Sequence, residues 1–262
     1  MAVKDIKCFL LDMDGTIYLG SKLIDGAELF LNRIKELDKK YIFLTNNSSK
    51  SRKEYIKKLA AFGIDASDEE IFTSGDATIE YLKEKKKDAV VFLLGTPALE
   101  EEFQRNGFTL VRERDKHVDF VVLGFDTTLT YEKLWIACDY IKEGVEYIAT
   151  HGDLVCPLEN NRTMPDAGAM ISLIKDATGK LPKIMGKPEK PIINAIMKRY
   201  SLQPQDMAMV GDRLYTDIKL GEVSGITSIL VYSGETTKEM YESSSIKADY
   251  QYSSVKEIAE DL

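Results

Sequence analysis

Short, continuous apolar runs alternate with segments of helical period along most of this chain of 262 residues. Runs of this kind are typical of strands covered on both faces, and four of them lie at residues 7–11, 41–44, 207–210 and 229–231. Apolar residues at helical spacing predict helices at residues 27–37, 55–63, 191–200 and 255–262. This alternation predicts an α/β fold built on a mostly parallel sheet.

The middle of the chain has the same alternation but forms a separate block. Strands are predicted there at residues 89–94, 120–123 and 147–150, and helices at residues 98–105, 131–142 and 169–176. The lysine-rich residues 83–87 before the block could bind an anion, but a solvated helix end or linker explains them better. We therefore predict an inserted domain at residues 79–182 and a main domain formed by residues 1–78 and 183–262.

The composition, the N-terminal residues and the cysteine spacing argue against several classes of protein. A net charge of -8 argues against binding to nucleic acid and to anionic membranes, both of which favour basic surfaces. The N-terminal residues lack the apolar length of a signal peptide. The three cysteines are widely spaced and form no CxxC, which argues against a disulfide framework or a zinc site. We therefore expect a cytoplasmic protein.

Two aspartates directly follow the first predicted strand. Asp12 and Asp14 lie two positions apart, so their carboxylates project to the same side of an extended chain, and Gly15 then permits a sharp turn. One carboxylate can act as a nucleophile while the other handles the proton of a leaving group. A surface turn is the alternative explanation. It is the weaker one, because burying two acids beside an apolar strand is costly without a metal or a cationic partner.

Three further polar motifs lie beyond predicted strands. Hydroxyl and amide groups in LTNNSS, residues 44–49, suit a phosphate, although such residues are also common helix caps. Lys187, in GKP, could present a fixed positive charge, although a lone lysine is usually just exposed. In GDRLYTD, Asp212 can complete an oxygen ligand set for Mg²⁺, while a helix cap is a credible role for Asp217. Ligands of open α/β sheets bind at such strand ends, so the motifs indicate one site.

The four motifs, in this order, resemble those of the haloacid dehalogenase (HAD) superfamily. The forms LTNNSS, GKP and GDRLYTDI are similar to its NagD-like, or 4-nitrophenylphosphatase-like, branch. The resemblance covers both flanks of the chain, and it implies a Rossmann-like parallel-sheet core with an inserted α/β cap of the C2 type. It also implies a Mg²⁺-dependent phosphatase that acts on small-molecule phosphate monoesters, such as a sugar phosphate or a nucleotide. A homodimer formed through the cap is compatible with this branch.

The resemblance implies catalytic and metal-binding roles by motif position. Asp12 would attack phosphorus and form an aspartyl-phosphate. Asp14 would protonate the leaving oxygen and then activate the hydrolytic water. Mg²⁺ would bind Asp12, the backbone carbonyl of Asp14, and Asp212. Asp217 would orient Lys187 or a metal-bound water. The residues implied to hold phosphate oxygens are Thr45, Asn46 and Lys187.

Two loops of the inserted domain are expected to contact the leaving group when the cap closes over the site. The first contributes His151 and Asp153, and the second contributes Asp166. For His151, it is at least as good an interpretation that the side chain is a polar loop residue with no catalytic role. For His117, the other histidine, that interpretation is favoured.

Three alternatives share part of this pattern. A haloacid dehalogenase would have the same nucleophile, but its chemistry needs no acid in the position of Asp14. A phosphomutase would share the aspartate pair, yet the similarity to NagD-like sequences favours hydrolysis. A non-catalytic sensor of phosphometabolites would keep the pocket, but a protein that only binds has no need of a nucleophile such as Asp12.

Overall fold

The computed structural model of the chain describes residues 2–158 and 162–262, which fall into two compact units. The first unit comprises the residues up to Thr45, Tyr55–Phe72 and Lys187–Leu262, and the second comprises Asn46–Glu54 and Thr73–Gly186. The predicted insertion, residues 79–182, lies inside the second unit. In the described part of the chain, no helix has the length and apolar character needed to cross a membrane.

A six-stranded sheet forms the centre of the first unit. Its strands are β1 (Cys8–Leu11), β4 (Lys40–Thr45), β5 (Ile71–Thr73), β13 (Met207–Gly211), β14 (Thr227–Val231) and β15 (Tyr250–Tyr252). Their order across the sheet is β15-β14-β13-β1-β4-β5, and the pairs from β15 to β4 run parallel. A short antiparallel hairpin joins β2 (Tyr18–Leu19) and β3 (Lys22–Leu23). The predicted α/β class with a parallel sheet is confirmed.

Helices complete the flanks of the chain. They are α1 (Ala27–Glu36), α2 (Arg52–Ala61), α7 (Lys190–Tyr200), α8 (Lys219–Ser224), α9 (Lys238–Ser243) and α10 (Val255–Asp261). Short 3₁₀ turns lie at Val3–Asp5, Asp68–Glu70 and Pro204–Asp206, and a π-helical turn spans Leu214–Ile218. These elements include all four helices that the apolar spacing predicts in the flanks.

The register of β1 places the starts of three of the predicted motifs at one edge of the sheet. All four residues of β1 are fully buried, as expected of a strand covered on both faces. Phe9 packs edge-on against Phe30 of α1, with ring centroids 5.7 Å apart. Leu11, the last residue of β1, pairs with Phe43 on one side and with Val210 on the other. The segments that follow β1, β4 and β13 therefore leave the sheet at the same level.

The second unit has its own parallel sheet, ordered β12-β9-β8-β6-β7. These strands are β6 (Val90–Leu94), β7 (Thr109–Val111), β8 (Phe120–Leu123), β9 (Glu146–Ala149) and β12 (Lys183–Ile184). An antiparallel hairpin pairs β10 (Val155–Leu158) with β11 (Arg162–Pro165). The helices are α3 (Ser74–Lys85), α4 (Pro97–Arg105), α5 (Tyr131–Lys142) and α6 (Ala167–Thr178). The lysine-rich run ends α3 and is largely exposed, as predicted for a solvated helix end.

Candidate active site

Asp12 and Asp14 follow β1 but have different surroundings. The Asp12 backbone N–H donates to the carbonyl of Val210 at 2.9 Å, which extends the pairing of β1 with β13 by one residue. The Asp12 side chain is only 14% exposed, whereas Asp14 is exposed. Burial raises the pKa of Asp12 to about 6, although Lys187 opposes this shift. The two acids are therefore placed differently, as a division of roles requires.

Lys187 lies in the interior of the first unit and joins three acceptors. Its Nζ donates to Asp12 Oδ1 at 2.6 Å, to Asp217 Oδ1 at 2.7 Å and to the carbonyl of Leu44 at 3.3 Å. Burial alone would lower the pKa of this ammonium, but the carboxylates of Asp12 and Asp217 outweigh burial and raise the pKa. Lys187 therefore stays cationic and neutralises part of the acidic cluster.

Asp212 follows β13 and is buried beside two other carboxylates. Its Oδ2 accepts a hydrogen bond from the Glu235 N–H at 2.6 Å. Burial, together with the negative charges of Asp12 and Asp217, raises the pKa of Asp212 to about 8. A cation bound here would reverse this shift, because it would favour the ionised form.

The carboxylates of Asp12, Asp212 and Asp217 fit a hard divalent cation. One oxygen from each residue lies within 4.8 Å of the oxygens from the other two. Asp212 Oδ1 is buried and has no hydrogen-bond partner among the described residues. Leaving a buried carboxylate oxygen unpaired is costly, and Mg²⁺ prefers such oxygen ligands. The donor set thus suits Mg²⁺, and Asp217 belongs to it geometrically even though its Oδ1 also accepts from Lys187.

Thr45 and Asn46 belong to different units. Thr45 is the last residue of β4, is buried, and lies at the level of the segments that carry Asp12 and Asp212. Asn46 lies in the second unit, where its Nδ2 is 3.2 Å from both carboxylate oxygens of Asp153. The structure therefore brings Asn46 together with a residue predicted to contact the leaving group. Phosphate binding by Thr45 and Asn46 stays a prediction.

His151 and Asp166 form part of a buried polar chain in the second unit. His151 Nε2 lies 2.8 Å from Asp166 Oδ1, and His151 Nδ1 lies 2.9 Å from Thr150 Oγ1. Thr150 Oγ1 is in turn 3.0 Å from Ser48 Oγ. Both ring nitrogens of the fully buried His151 are thus engaged inside this unit. This geometry favours a structural part for His151, which the sequence already allowed; a contact with the leaving group stays a prediction. His117 is exposed and lies 2.9 Å from Asp119.

Several residues at the site received no role from the sequence. Arg213 Nε lies 3.1 Å from Glu235 Oε2, and the Arg213 N–H donates to Asp217 Oδ2 at 3.1 Å. Ser233 Oγ donates to the carbonyl of Gly15 at 2.7 Å. A signal for Ser233 and Glu235 was present, because SGET follows the apolar run at residues 229–231 just as the other motifs follow theirs.

Comparisons with known proteins identify the family. The profile of haloacid dehalogenase-like hydrolases matches residues 9–109, and that of HAD-hydrolase-like proteins matches residues 184–258. The chain is 36% identical to the 5'-nucleotidase YutF of Bacillus subtilis over 90% of this chain and 91% of that protein. It is 38% identical to an acid sugar phosphatase of Staphylococcus aureus over 90% of each chain.

Solved structures show the same similarity over nearly the whole chain. A 4-nitrophenylphosphatase from Thermotoga maritima has a TM-score of 0.94 and 43% identity, with 98% of each chain covered. A glycerol phosphate phosphatase from Mycobacterium tuberculosis, solved in complex with magnesium, has a TM-score of 0.89 and 27% identity over 98% of this chain and 77% of that one. Given these matches and the arrangement of its four motifs, the chain belongs to the haloacid dehalogenase superfamily, as a phosphoric monoester hydrolase of the NagD-like branch.

Proposed function

We propose that this protein is a Mg²⁺-dependent phosphatase that hydrolyses small-molecule phosphate monoesters through an aspartyl-phosphate on Asp12. The observation that carries the proposal is the charge arrangement at the end of β1. Lys187 donates to Asp12 at 2.6 Å, while Asp212 keeps a buried oxygen with no partner among the described residues. Phosphoryl transfer depends mainly on such positioning and charge neutralisation.

In the first step, a carboxylate oxygen of Asp12 forms a bond to phosphorus as the bond to the leaving oxygen breaks. Asp14 gives its proton to that oxygen, so the alcohol departs neutral. Lys187 offsets the negative charge of Asp12 and Asp217 throughout. Asp14 is exposed, which suits a group that must reach the leaving oxygen.

In the second step, water attacks phosphorus and transfers a proton to the carboxylate of Asp14. The bond between phosphorus and Asp12 breaks, which releases inorganic phosphate and restores both aspartates. Asp12, Asp212 and the backbone carbonyl of Asp14 would hold Mg²⁺, which would supply positive charge to stabilise the transferring phosphoryl group. The predicted roles of Thr45, Asn46 and Lys187 in holding the other phosphate oxygens belong to this proposal.

The names of the relatives support a small phosphorylated metabolite as the substrate. They include an acid sugar phosphatase, a 5'-nucleotidase and a glycerol phosphate phosphatase. We infer that sugar phosphates and nucleoside monophosphates are the classes to assay first. A cytoplasmic location, the domain boundaries at residues 79–182 and a homodimer through the cap accompany this proposal as predictions.

The test is release of phosphate from 4-nitrophenyl phosphate and from a panel of sugar phosphates and nucleoside monophosphates, with and without Mg²⁺. We expect wild-type activity to require the metal and Asp12→Asn to abolish it, because a carboxamide cannot act as the nucleophile. Asp25→Asn is the matched control, since it makes the same change at an exposed aspartate that pairs with Lys256. Undiminished activity of Asp12→Asn would refute the mechanism. An inactive wild-type protein across the whole panel would favour the phosphometabolite sensor.

A further inference from the structure

The loop at residues 233–236 holds Asp212 from the side of β14. This loop follows β14, the neighbour of the strand that leads to Asp212. The Glu235 N–H donates to Asp212 Oδ2 at 2.6 Å, and the Thr236 N–H donates to the Asp212 carbonyl at 3.2 Å. Two backbone donors thus fix both the carboxylate and the main chain of Asp212.

The same loop also holds the turn after Asp14. Ser233 Oγ donates to the Gly15 carbonyl at 2.7 Å, and the Gly15 N–H donates to the Tyr18 carbonyl at 2.7 Å. Gly15 has a φ of +91°, in the left-handed region of backbone conformation that glycine adopts readily. Glycine can also leave this region at little cost. The two hydrogen bonds fix the peptide groups on either side of Gly15. Because a trans peptide is planar, the Asp14 carbonyl must point away from the fixed Gly15 N–H.

Close packing makes this arrangement sensitive to small movements. A Cβ atom on Gly15 or on Gly234 would collide with the carboxylate of Asp212. Asp212 therefore lies between the turn after β1 and the loop at residues 233–236. The hydrogen bond from Ser233 joins these two segments directly, so it sets the separation between Asp212 and the turn.

We propose that Ser233 is a positioning residue for the cation site. Its hydroxyl fixes the peptide group after Gly15, and the Gly15 N–H fixes the preceding peptide group, whose carbonyl belongs to Asp14. By holding this turn, Ser233 keeps the Asp14 carbonyl in the position from which the proposed function has it bind the cation. This inference rests on the proposed function, because it requires that a cation binds there. Residues that orient metal ligands typically change metal affinity by about 10–100-fold when they are removed.

The test is a calorimetric titration of the chelator-treated protein with Mg²⁺, in the absence of substrate. We expect Ser233→Ala to bind Mg²⁺ about 10-fold more weakly than wild type. Ser233→Thr keeps the hydroxyl and should restore most of the affinity. Ser228→Ala is the matched control, since Ser228 lies on β14 and its Oγ donates to Asp249 Oδ2 at 2.9 Å, away from the site. This control should lose thermal stability and bind Mg²⁺ as wild type does.

The outcomes separate the two proposals. Equal Mg²⁺ affinity for Ser233→Ala and wild type would overturn the role of Ser233 and leave the proposed function standing. An equal loss of affinity in Ser228→Ala would also overturn it, because the loss of a serine hydrogen bond elsewhere would then matter as much. A wild-type protein that binds no Mg²⁺ would overturn the cation site itself, and the inference with it.

Discussion

Asp12 and Asp14 are two positions apart in the chain, yet they meet opposite chemical demands. Asp12 is paired with Lys187 and lies next to the buried Asp212, so positive charge is needed to keep it ionised. Asp14 is exposed and is not part of the carboxylate cluster that fits a cation. The positive charge of Lys187 favours the ionised form that a nucleophile needs, and the exposure of Asp14 allows it to exchange protons with the leaving oxygen and with water.

The variant Asp14→Asn should separate the two chemical steps. 4-Nitrophenolate is a weakly basic leaving group that needs little protonation, so the phosphoenzyme should still form. Its hydrolysis should slow by about 10²–10⁴-fold, because no general base activates the water. Rapid mixing should therefore show a burst of one equivalent of nitrophenolate followed by slow turnover.

An alkyl phosphate provides the control for this variant. Its alkoxide leaving group needs the proton of Asp14, so the burst should disappear with that substrate. Unchanged steady-state turnover of Asp14→Asn with both substrates would show that Asp14 is neither the acid nor the base.

Among individual residues, the site residues that directly follow strands could be predicted from the sequence. Asp12, Asp14 and Asp212 come straight after apolar runs, and their motif order identified the family. The contacts of Lys187 with Asp217 and of Ser233 with Gly15 could not be predicted. They join residues 30 and 218 positions apart, and local pattern carries no information on such pairs.

At the scale of elements, the π-helical turn Leu214–Ile218 returns Asp217 to the site. Its first and last residues are buried in a cluster with Leu230 and Tyr241, which anchors the turn. Asp217 is fully buried and accepts from Lys187 and from the Arg213 N–H. π-Turns are rare and often occur at functional sites, which agrees with this position.

The variant Gly211→Ala should dislodge Asp217 without altering any charged residue. A Cβ atom on Gly211 would collide with the Asp217 carboxylate, so the pair with Lys187 should break. Breaking a buried ion pair costs about 3–5 kcal/mol. We expect a loss of that order in the free energy of unfolding, measured with urea, together with a large loss of phosphatase activity.

Gly225→Ala is the control for this prediction. Gly225 has a φ of +69°, and a Cβ atom there would meet nothing within 4 Å. The substitution strains the backbone by about 1–3 kcal/mol but should leave activity intact. If Gly211→Ala were as active as this control, the packing of Asp217 would not matter to the reaction.

Long elements were predictable, and short ones were not. The predicted strands at residues 89–94, 120–123 and 147–150 correspond to β6, β8 and β9. Strands of two or three residues, such as β7, β12 and β15, are too short to show a period. Residues 46–54 follow β4 yet belong to the second unit, because contacts such as Ser48 with Thr150 are set by tertiary structure.

For the whole molecule, the carboxylate cluster makes stability depend on pH and on the cation. Without a bound cation, burial raises the pKa of Asp12 to about 6 and that of Asp212 to about 8, from 3.8. The folded state then binds more protons than the unfolded chain. The stability contributed by these groups is therefore complete at low pH and is lost as the pH rises through the two raised values.

We expect the unfolding temperature of the chelator-treated protein to fall between about pH 5 and about pH 8. Saturating Mg²⁺ should cancel this fall, because the cation binds the ionised carboxylates and its affinity rises with pH. Scanning calorimetry at several pH values, with chelator or with Mg²⁺, measures both curves. A Mg²⁺-induced shift that is equal at the two ends of the range would contradict this linkage.

The fold class was predictable for the whole chain because it is encoded in repeated local patterns. Strand runs and helical segments alternate in both units, and each unit forms a parallel sheet. The strands end side by side because their register pairs Leu11 with Phe43 and with Val210. This register could not be predicted from the sequence. That register brings the starts of three motifs to one edge of the sheet, and the contacts of Lys187 with Asp12 and Asp217 add the fourth.

The central claim is that Asp12 receives the phosphoryl group from the substrate. The most direct measurement is mass spectrometry of Asp14→Asn, quenched in acid during turnover of 4-nitrophenyl phosphate with Mg²⁺. We predict a mass increase of one phosphoryl group on the peptide that contains Asp12, removed by hydroxylamine and absent when Asp12→Asn is added. Turnover with no phosphoenzyme, or a phosphoryl group on another residue, would contradict the claim.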